Sequence, residues 1–364
     1  MKILLLIGDI TIGGGAERVV INLANALFEL KYDVKIFSFY KQGQDIAYEL
    51  NENIKIDYLY HKSKTDVKKE KPLYKLYYKH YESYILKQKY KDIDVMIFNN
   101  CPHFPFFKNK NTKYINFIHM SFKKYRKRNN YFDALVILSN KQIEQWKKYH
   151  KNVWVIPNFL SCKSLQNANL CNKNILSVGR MALEDQKGFL RLIDIWKMVQ
   201  KKEIYKDWTL TIVGEGELKQ TIEQKIKAYE LENSVILKPF TKEIEKEYLQ
   251  ASIYAMTSLY EGFPMVLVEV SSYGVPLVSF DINTGPSDII ENKKSGFLIE
   301  DGNFQEFSDK ICLLMDNENL RKQMGQNAKE KIQNEFSKEI IMQKWIKLIN
   351  SQYLLIYGHT FHTF

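Results

Sequence analysis

The chain has 364 residues, a length that favours two domains over one. Apolar residues make up 45% of it, enough for two ordinary cores and too many for a disordered chain. The formal net charge of +11 points to acidic partners such as nucleotides, phospholipids or nucleic acid, and the excess is concentrated at 62–91 and 108–128, where tyrosines are interleaved.

The opening Met1-Lys2-Ile3-Leu4-Leu5-Leu6-Ile7 looks briefly like a signal peptide. Gly8-Asp9 ends it after five apolar residues, short of a signal's apolar core, so a first buried strand is expected. Further strands are expected at 34–39, 54–59, 95–98, 114–119, 134–138 and 153–156, and an amphipathic helix at 16–30 with Val19, Val20, Leu23, Ala24 and Leu27 on one face. Residues 157–173 lose periodicity, begin Pro157-Asn158 and read as a linker. A second series follows at 175–178, 210–213, 235–237, 253–257 and 276–280 with helices between, and 304–350 reads as mostly helical. This alternation predicts two α/β, Rossmann-like domains facing a cleft, with ligands beyond the carboxyl ends of parallel strands. Cys101, Cys162, Cys171 and Cys312 have no metal-site spacing and read as reduced, mostly buried thiols of a cytosolic protein. No apolar run approaches the ~18 residues needed to span a bilayer.

Three segments carry the candidate chemistry. Tyr260-Glu261-Gly262-Phe263-Pro264-Met265-Val266-Leu267-Val268-Glu269 follows a strand and opens a helix, where free backbone N–H groups can hold a phosphate. Glu269 falls about two turns in, so it and Glu261 can face one ligand; an ordinary strand-turn-helix with solvated glutamates fits the spacing equally well. Ser177-Val178-Gly179-Arg180 and then Lys187-Gly188-Phe189 bring two cations off a strand end, a pair suited to a departing diphosphate or, alternatively, to surface salt bridges with Glu184 or Asp185. Gly13-Gly14-Gly15-Ala16-Glu17-Arg18 forms a glycine turn before the first helix. Nicotinamide chemistry is disfavoured because the second strand ends Phe39-Tyr40-Lys41, without a ribose-binding acid. His119 ends a central strand, a position that is more often structural than catalytic. Asp92-Ile93-Asp94 has the form of a metal-binding Asp-x-Asp but precedes a buried strand and reads as a charged strand entrance.

Taken together, these segments resemble glycosyltransferase family 4, retaining enzymes of the GT-B fold, over nearly the whole chain. The matching elements are Gly14 to Arg18, Gly179-Arg180 with Lys187-Gly188, the Glu, seven residues, Glu pair at Glu261 and Glu269, and Thr284-Gly285-Pro286-Ser287-Asp288-Ile289-Ile290. The resemblance implies that Arg180 and Lys187 hold the donor diphosphate and that Gly262, Phe263, Pro264, Met265 and Val266 present backbone amides to phosphate and sugar. It implies that Glu269 binds ribose hydroxyls, Glu261 touches the donor sugar, His119 lines the catalytic centre, and Gly14 and Gly15 approach the diphosphate. It further implies an N-terminal acceptor domain at 1–160, a C-terminal donor domain at 174–336, and a helix at 337–364 crossing back to the first domain, with a tail. The chain departs from the family pattern in a longer loop between Arg180 and Lys187, in Asp288 for the common Glu, and in Pro239.

The function implied is retaining transfer of a hexose or N-acetylhexosamine from a nucleoside diphosphate sugar, with UDP as the expected nucleotide. The acceptor would be a glycan or lipid-linked molecule in surface polysaccharide or lipopolysaccharide synthesis, with no metal and no cofactor. The alternatives are an epimerase or phosphorylase on the same fold and a non-catalytic nucleic-acid-binding protein; for the last, no helix-turn-helix, zinc or RNA-recognition signature is present. An anionic membrane surface is an expected partner and nucleic acid is not. The basic stretches are Lys123-Lys124-Tyr125-Arg126-Lys127-Arg128 and Lys68, Lys69, Lys71, Lys75 and Lys79 with Tyr74, Tyr77, Tyr78 and Tyr81. They place the protein in the cytoplasm, peripheral on the inner face of the membrane.

Overall fold

The computed structural model describes residues 1–70, 77–160 and 166–351. They form two compact units, Met1–Asn158 with the segment from Lys338 onward, and Phe159–Ser337.

The first unit is built on a seven-stranded parallel sheet. Its strands are β1 (Lys2–Asp9), β2 (Asp33–Tyr40), β3 (Lys55–Tyr58), β4 (Val95–Asn99), β5 (Lys113–Phe117), β6 (Ala134–Ile137) and β7 (Val153–Val155), in the order β3-β2-β1-β4-β5-β6-β7. β1 is an unbroken apolar run because both its faces are covered, with Ile3, Leu4, Leu5 and Leu6 fully buried. Helix α1 (Gly15–Glu29) turns Val20, Leu23, Ala24 and Leu27 inward. Asp94 accepts from the Lys2 amide and Asp92 pairs with the Lys2 ammonium, so both acids tie down a strand entrance. α2 (Lys64–Glu70) and α3 (Lys79–Lys89) lie between β3 and β4, and α4 (Ile143–Lys147) between β6 and β7. Strand order reverses between β1 and β4, and loops leaving the carboxyl ends of strands on either side of such a point splay apart and open a crevice.

The second unit holds a six-stranded parallel sheet, β8 (Asn174–Val178), β9 (Thr209–Val213), β10 (Val235–Lys238), β11 (Ile253–Met256), β12 (Leu277–Phe280) and β13 (Gly296–Ile299), in the order β10-β9-β8-β11-β12-β13. Here the order reverses between β8 and β11. Tyr254 of β11 fixes the two at that point, its hydroxyl lying 3.1 Å from the Val178 amide. Helices α5 (Phe189–Gln200), α6 (Lys219–Ala228), α7 (Ile244–Gln250), α8 (Met265–Ser271), α9 (Pro286–Ile289), α10 (Phe304–Asp316) and α11 (Glu318–Glu335) complete it.

Several local expectations differ. β5 stops at Phe117, so His119 stands in the loop beyond the strand. β13 escaped the sequence reading because four residues between charged flanks carry no usable periodicity. Of the expected linker, 166–173 is docked on the second unit: Ala168 donates to the Tyr273 carbonyl at 2.8 Å and Asn169 to that of Leu249 at 2.9 Å. Residues 161–165, with Cys162, and the tail from 352 lie outside the described residues. Cys101 and Cys312 are buried thiols, whereas Cys171 is exposed.

The last helix, α12 (Lys338–Asn350), belongs to the first unit. Trp345, 1% exposed, meets the Phe117 ring edge-on at 5.1 Å. The buried Lys113 ammonium donates to the Leu348 carbonyl and, at 2.8 Å, to Ser351 Oγ, placing a cation on the negative end of the helix. Lys338 pairs with Glu29 of α1 at 2.6 Å.

Candidate active site

In the second unit the candidate residues leave the sheet at its switch point. After β8 the chain runs through Gly179 and Arg180 to the start of α5. Asp185 caps that helix, its two carboxylate oxygens accepting from the amides of Phe189 at 2.8 Å and Leu190 at 3.1 Å, an arrangement that stabilises a helix by about 1 kcal/mol. Gly188 sits at φ +67°, and a Cβ there would lie 1.9 Å from the Thr257 carbonyl oxygen, so only glycine lets this turn close on the end of β11. Lys187 is thereby aimed back across Gly179: its aliphatic stem lies where a Cβ on Gly179 would stand, 2.7–2.9 Å away.

The result is a pair the sequence does not show. Lys187 Nζ lies 2.7 Å from Glu261 Oε1. Glu261 is 8% exposed and the Lys187 side chain 21%, so the pair is mostly screened from water. The backbone of Glu261 is fixed from the far side by Thr284 Oγ1, which donates to its carbonyl at 2.5 Å. The stretch leading to it is clamped by Arg191, which donates to the carbonyls of Thr257 at 2.5 Å and Ser258 at 2.6 Å, pairs with Asp301 at 2.7 Å and lies over the Phe280 ring.

Glu269 lies in α8, where its Oε2 accepts from the Tyr248 hydroxyl at 2.9 Å. Gly262 precedes the helix, Pro264 is its cap residue, and Met265 and Val266 open it. Phe263 is buried and its ring faces Phe336 at 5.7 Å, so its side chain serves packing. Arg180 stands apart from this group. Its side chain is 74% exposed and pairs with Glu217 at 3.1 Å, in place of either Glu184 or Asp185.

The first unit carries the other candidates at its own switch point. Gly14 caps α1 and Gly15 begins it; the Gly14 amide donates to Glu17 Oε2 at 2.9 Å. Burial pushes the Glu17 carboxyl above its ordinary value. His119 is buried, and desolvation pushes its pKa down to about 3, so the ring is neutral at physiological pH. Its Nε2 lies 3.4 Å from Asn99 Oδ1. Asn99 also lines a cavity of about 220 Å³ with Gly8, Asp9, Glu17, Gln42 and Asn100.

Sequence reading missed Arg191, Tyr248, Glu217 and Asn99, and it named Asp185 and Thr284 without the contacts they make here. Asp185 had a local signal, an acid just before a helix. The rest act across 20 or more positions, and a helix arginine such as Arg191 reads as solvated until its acceptors are known. No group of three or more His, Cys, Asp or Glu side chains among the described residues is arranged to hold a metal ion.

Two parallel α/β units, each with polar side chains gathered at a switch point, define the class of two-domain Rossmann-like proteins, whose ligands bind beyond the carboxyl ends of the strands. Residues 165–331 match the family described as glycosyl transferases, group 1. The chain is 32% identical over 360 residues to an uncharacterized glycosyltransferase of Haemophilus influenzae, spanning 94% of this chain and 98% of that one. It is 25% identical over 378 residues, 96% and 98% of the two chains, to an α-1,4-N-acetyl-D-galactosaminyltransferase of Campylobacter jejuni whose named acceptor is a glycan on PP-undecaprenol. Its fold matches a crystal structure of Staphylococcus aureus TarM with fondaparinux, α-GlcNAc-glycerol and UDP at a TM-score of 0.76 and 20% identity, covering 96% of this chain and 99% of that one. The chain belongs to the group 1 glycosyl transferases and has the GT-B fold.

Proposed function

We propose that the chain transfers a hexose or N-acetylhexosamine, with retention, from a UDP-sugar to a glycan or lipid-linked acceptor in surface polysaccharide or lipopolysaccharide synthesis. The observation that carries this reading is the Lys187–Glu261 pair at the β8/β11 switch point, with Glu269 held by Tyr248 one element further on. The reaction breaks the bond between the anomeric carbon and the diphosphate, so negative charge grows on the leaving group while the sugar becomes oxocarbenium-like. Lys187 is the residue we assign to that charge, and Arg180, which stands apart and pairs with Glu217, joins it only by giving up that partner. The amides of Gly262 to Val266 complete the anion site. Glu269, with one oxygen fixed by Tyr248, is suited to ribose hydroxyls. We assign Gly14 and Gly15 to diphosphate binding and His119, neutral, to the catalytic centre. No protein nucleophile is required if the acceptor attacks on the face the diphosphate leaves; Glu261 as a covalent nucleophile is the weaker alternative, since Lys187 already engages it.

The acceptor side of the reading draws on the first unit's surface. Lys123, Lys124, Arg126 and Lys127 are exposed around Tyr125, which stacks on Tyr149 with ring centroids 4.7 Å apart. Lys147, Lys148 and Lys151, near Tyr149 in sequence, are exposed as well. Arg128 is not: it is half-buried and donates to the Pro102 carbonyl at 2.9 Å. In the other stretch Lys68, Lys69, Tyr77 and Tyr81 are exposed, Tyr78 and Lys79 are half-buried, and Lys71, Tyr74 and Lys75 lie outside the described residues. No helix among the described residues is long and apolar enough to cross a membrane, so a reversible basic and aromatic attachment to the inner leaflet suits a lipid-linked acceptor. The test of the reaction is turnover of a panel of nucleotide sugars with and without chelator. UDP-hexoses or UDP-N-acetylhexosamines should be consumed equally in both. Strict dependence on magnesium or manganese would overturn the metal-free part of the reading.

A further inference from the structure

Asn99 ends β4 at the switch point of the first unit's sheet and is fully buried. Its Nδ2 donates to the Ile97 carbonyl at 3.0 Å and to the Leu6 carbonyl at 3.4 Å. A carbonyl oxygen only accepts, so the amide nitrogen has to face these two and Oδ1 has to face away from them. Flipping the amide would lose both bonds and set Oδ1 against these two carbonyl oxygens.

The direction of Asn99 decides the state of His119. Oδ1 lies 3.4 Å from His119 Nε2. An amide oxygen cannot donate, so Nε2 carries the ring proton and Nδ1 keeps its lone pair. Among the described residues no hydrogen bond is seen at Nδ1, and that atom is not one of the buried unpartnered ones, so it is open to a ligand. We propose that Asn99 is a positioning residue that locks His119 as the Nε2–H tautomer, so that His119 meets a sugar hydroxyl as a hydrogen-bond acceptor. The inference rests on the reading of His119 as part of the catalytic centre. It adds what that reading lacks: the direction of the hydrogen bond, and the residue that sets it. A hydroxyl hydrogen is required on the ligand, and a sugar methylated there would lose the contact.

The experiment is nitrogen-15 NMR of the imidazoles in the full chain at neutral pH, with His119 assigned by its absence in His119→Gln. Wild type should show His119 as one neutral tautomer protonated at Nε2. Asn99→Leu and the smaller Asn99→Ala should shift it toward a mixture, and whichever of them stays folded should lose about 10–100-fold in kcat, the range seen when partners that orient metal-bound histidines are removed. The KM for the nucleotide sugar should change far less. Protonation at Nδ1 in the wild type overturns the proposal even if both variants unfold. So does an unchanged tautomer or an unchanged kcat in a folded variant. If His119→Gln keeps full activity while the wild-type tautomer is Nε2–H, the catalytic placement of His119 has failed and the Asn99 lock stands as a structural fact alone.

Discussion

Lys187 and Glu261 are 74 positions apart in sequence and 2.7 Å apart in space, one on the loop before α5 and the other on the loop before α8. The pair joins the two strand ends that flank the second sheet's switch point. Lys187→Met leaves the Glu261 carboxylate mostly buried without its counter-charge. We expect it to lower unfolding free energy by about 1–3 kcal/mol, below the usual cost of breaking a fully buried pair because the lysine keeps some contact with water. Adding Glu261→Gln should restore part of the loss, with a coupling of about 0.5–3 kcal/mol in a urea-melt cycle. Additive effects would mean the contact carries no energy.

The two glutamates should separate in kinetics. On the proposed reading, which sets Glu261 and Lys187 where charge changes during reaction, Glu261→Ala is expected to lower kcat and loss of Lys187 to raise the barrier by about 2–4 kcal/mol. Glu269→Ala should mainly weaken nucleotide binding, because ribose contacts are alike in ground and transition states. Tyr248→Phe should do the same more mildly, by freeing Glu269 Oε2 from its hydroxyl. Titration calorimetry with UDP, set beside steady-state rates, checks the split. Small and equal effects from Glu261→Ala and Glu269→Ala would remove both assignments.

His119 sets an acid limit on stability. Its folded pKa, pushed to about 3, lies below the ordinary value of 6.5, so the unfolded chain takes up a proton in a range where the folded chain does not. Stability is therefore lost as pH falls from about 6.5 toward 3, with a slope from this group of at most ~1.4 kcal/mol per pH unit. His119→Gln should flatten the curve there relative to wild type. The kcat/KM profile should show no inflection from His119 between about pH 5 and 8, since the ring stays neutral throughout. An equal slope in the variant would show that the ring is not desolvated.

Attachment to membranes is tested by co-sedimentation with liposomes. Binding should require anionic lipid and fade as salt shortens the screening length from ~10 Å toward 3 Å. Neutralising Lys123, Lys124, Arg126 and Lys127 should release the protein, each charge contributing about 1 kcal/mol. Neutralising Arg128 should instead show up in stability, because its guanidinium holds the Pro102 carbonyl. A wild-type protein that ignores anionic liposomes at low salt would point to a soluble acceptor.

The architecture was largely legible because parallel strands covered on both faces write continuous apolar runs, and helices between them write a 3.6-residue period. Both are local. β1 with Ile3 to Ile7 and α1 with Val20 to Leu27 follow from them directly, as does the repetition of the pattern after residue 173. β13 did not, since four residues are too few to carry a period. The glycines at 14, 15, 179 and 188 marked turns where the chain comes close to something, without saying to what.

The sequence by itself determined two α/β units and the order of their motifs, because hydrophobic period and turn chemistry act between near neighbours. Only the tertiary structure decided which charges meet. Lys187 turned to Glu261 and Arg180 to Glu217, although the linear spacing treats the two cations alike. Which partner a long side chain finds depends on the direction in which its loop leaves the sheet. Here Gly188, closing on the Thr257 carbonyl, sets that direction for Lys187, and strand pairing brings the loops of β8 and β11 side by side. The state of His119 was decided in the same way, by two carbonyls of β1 and β4 that turn the amide of Asn99.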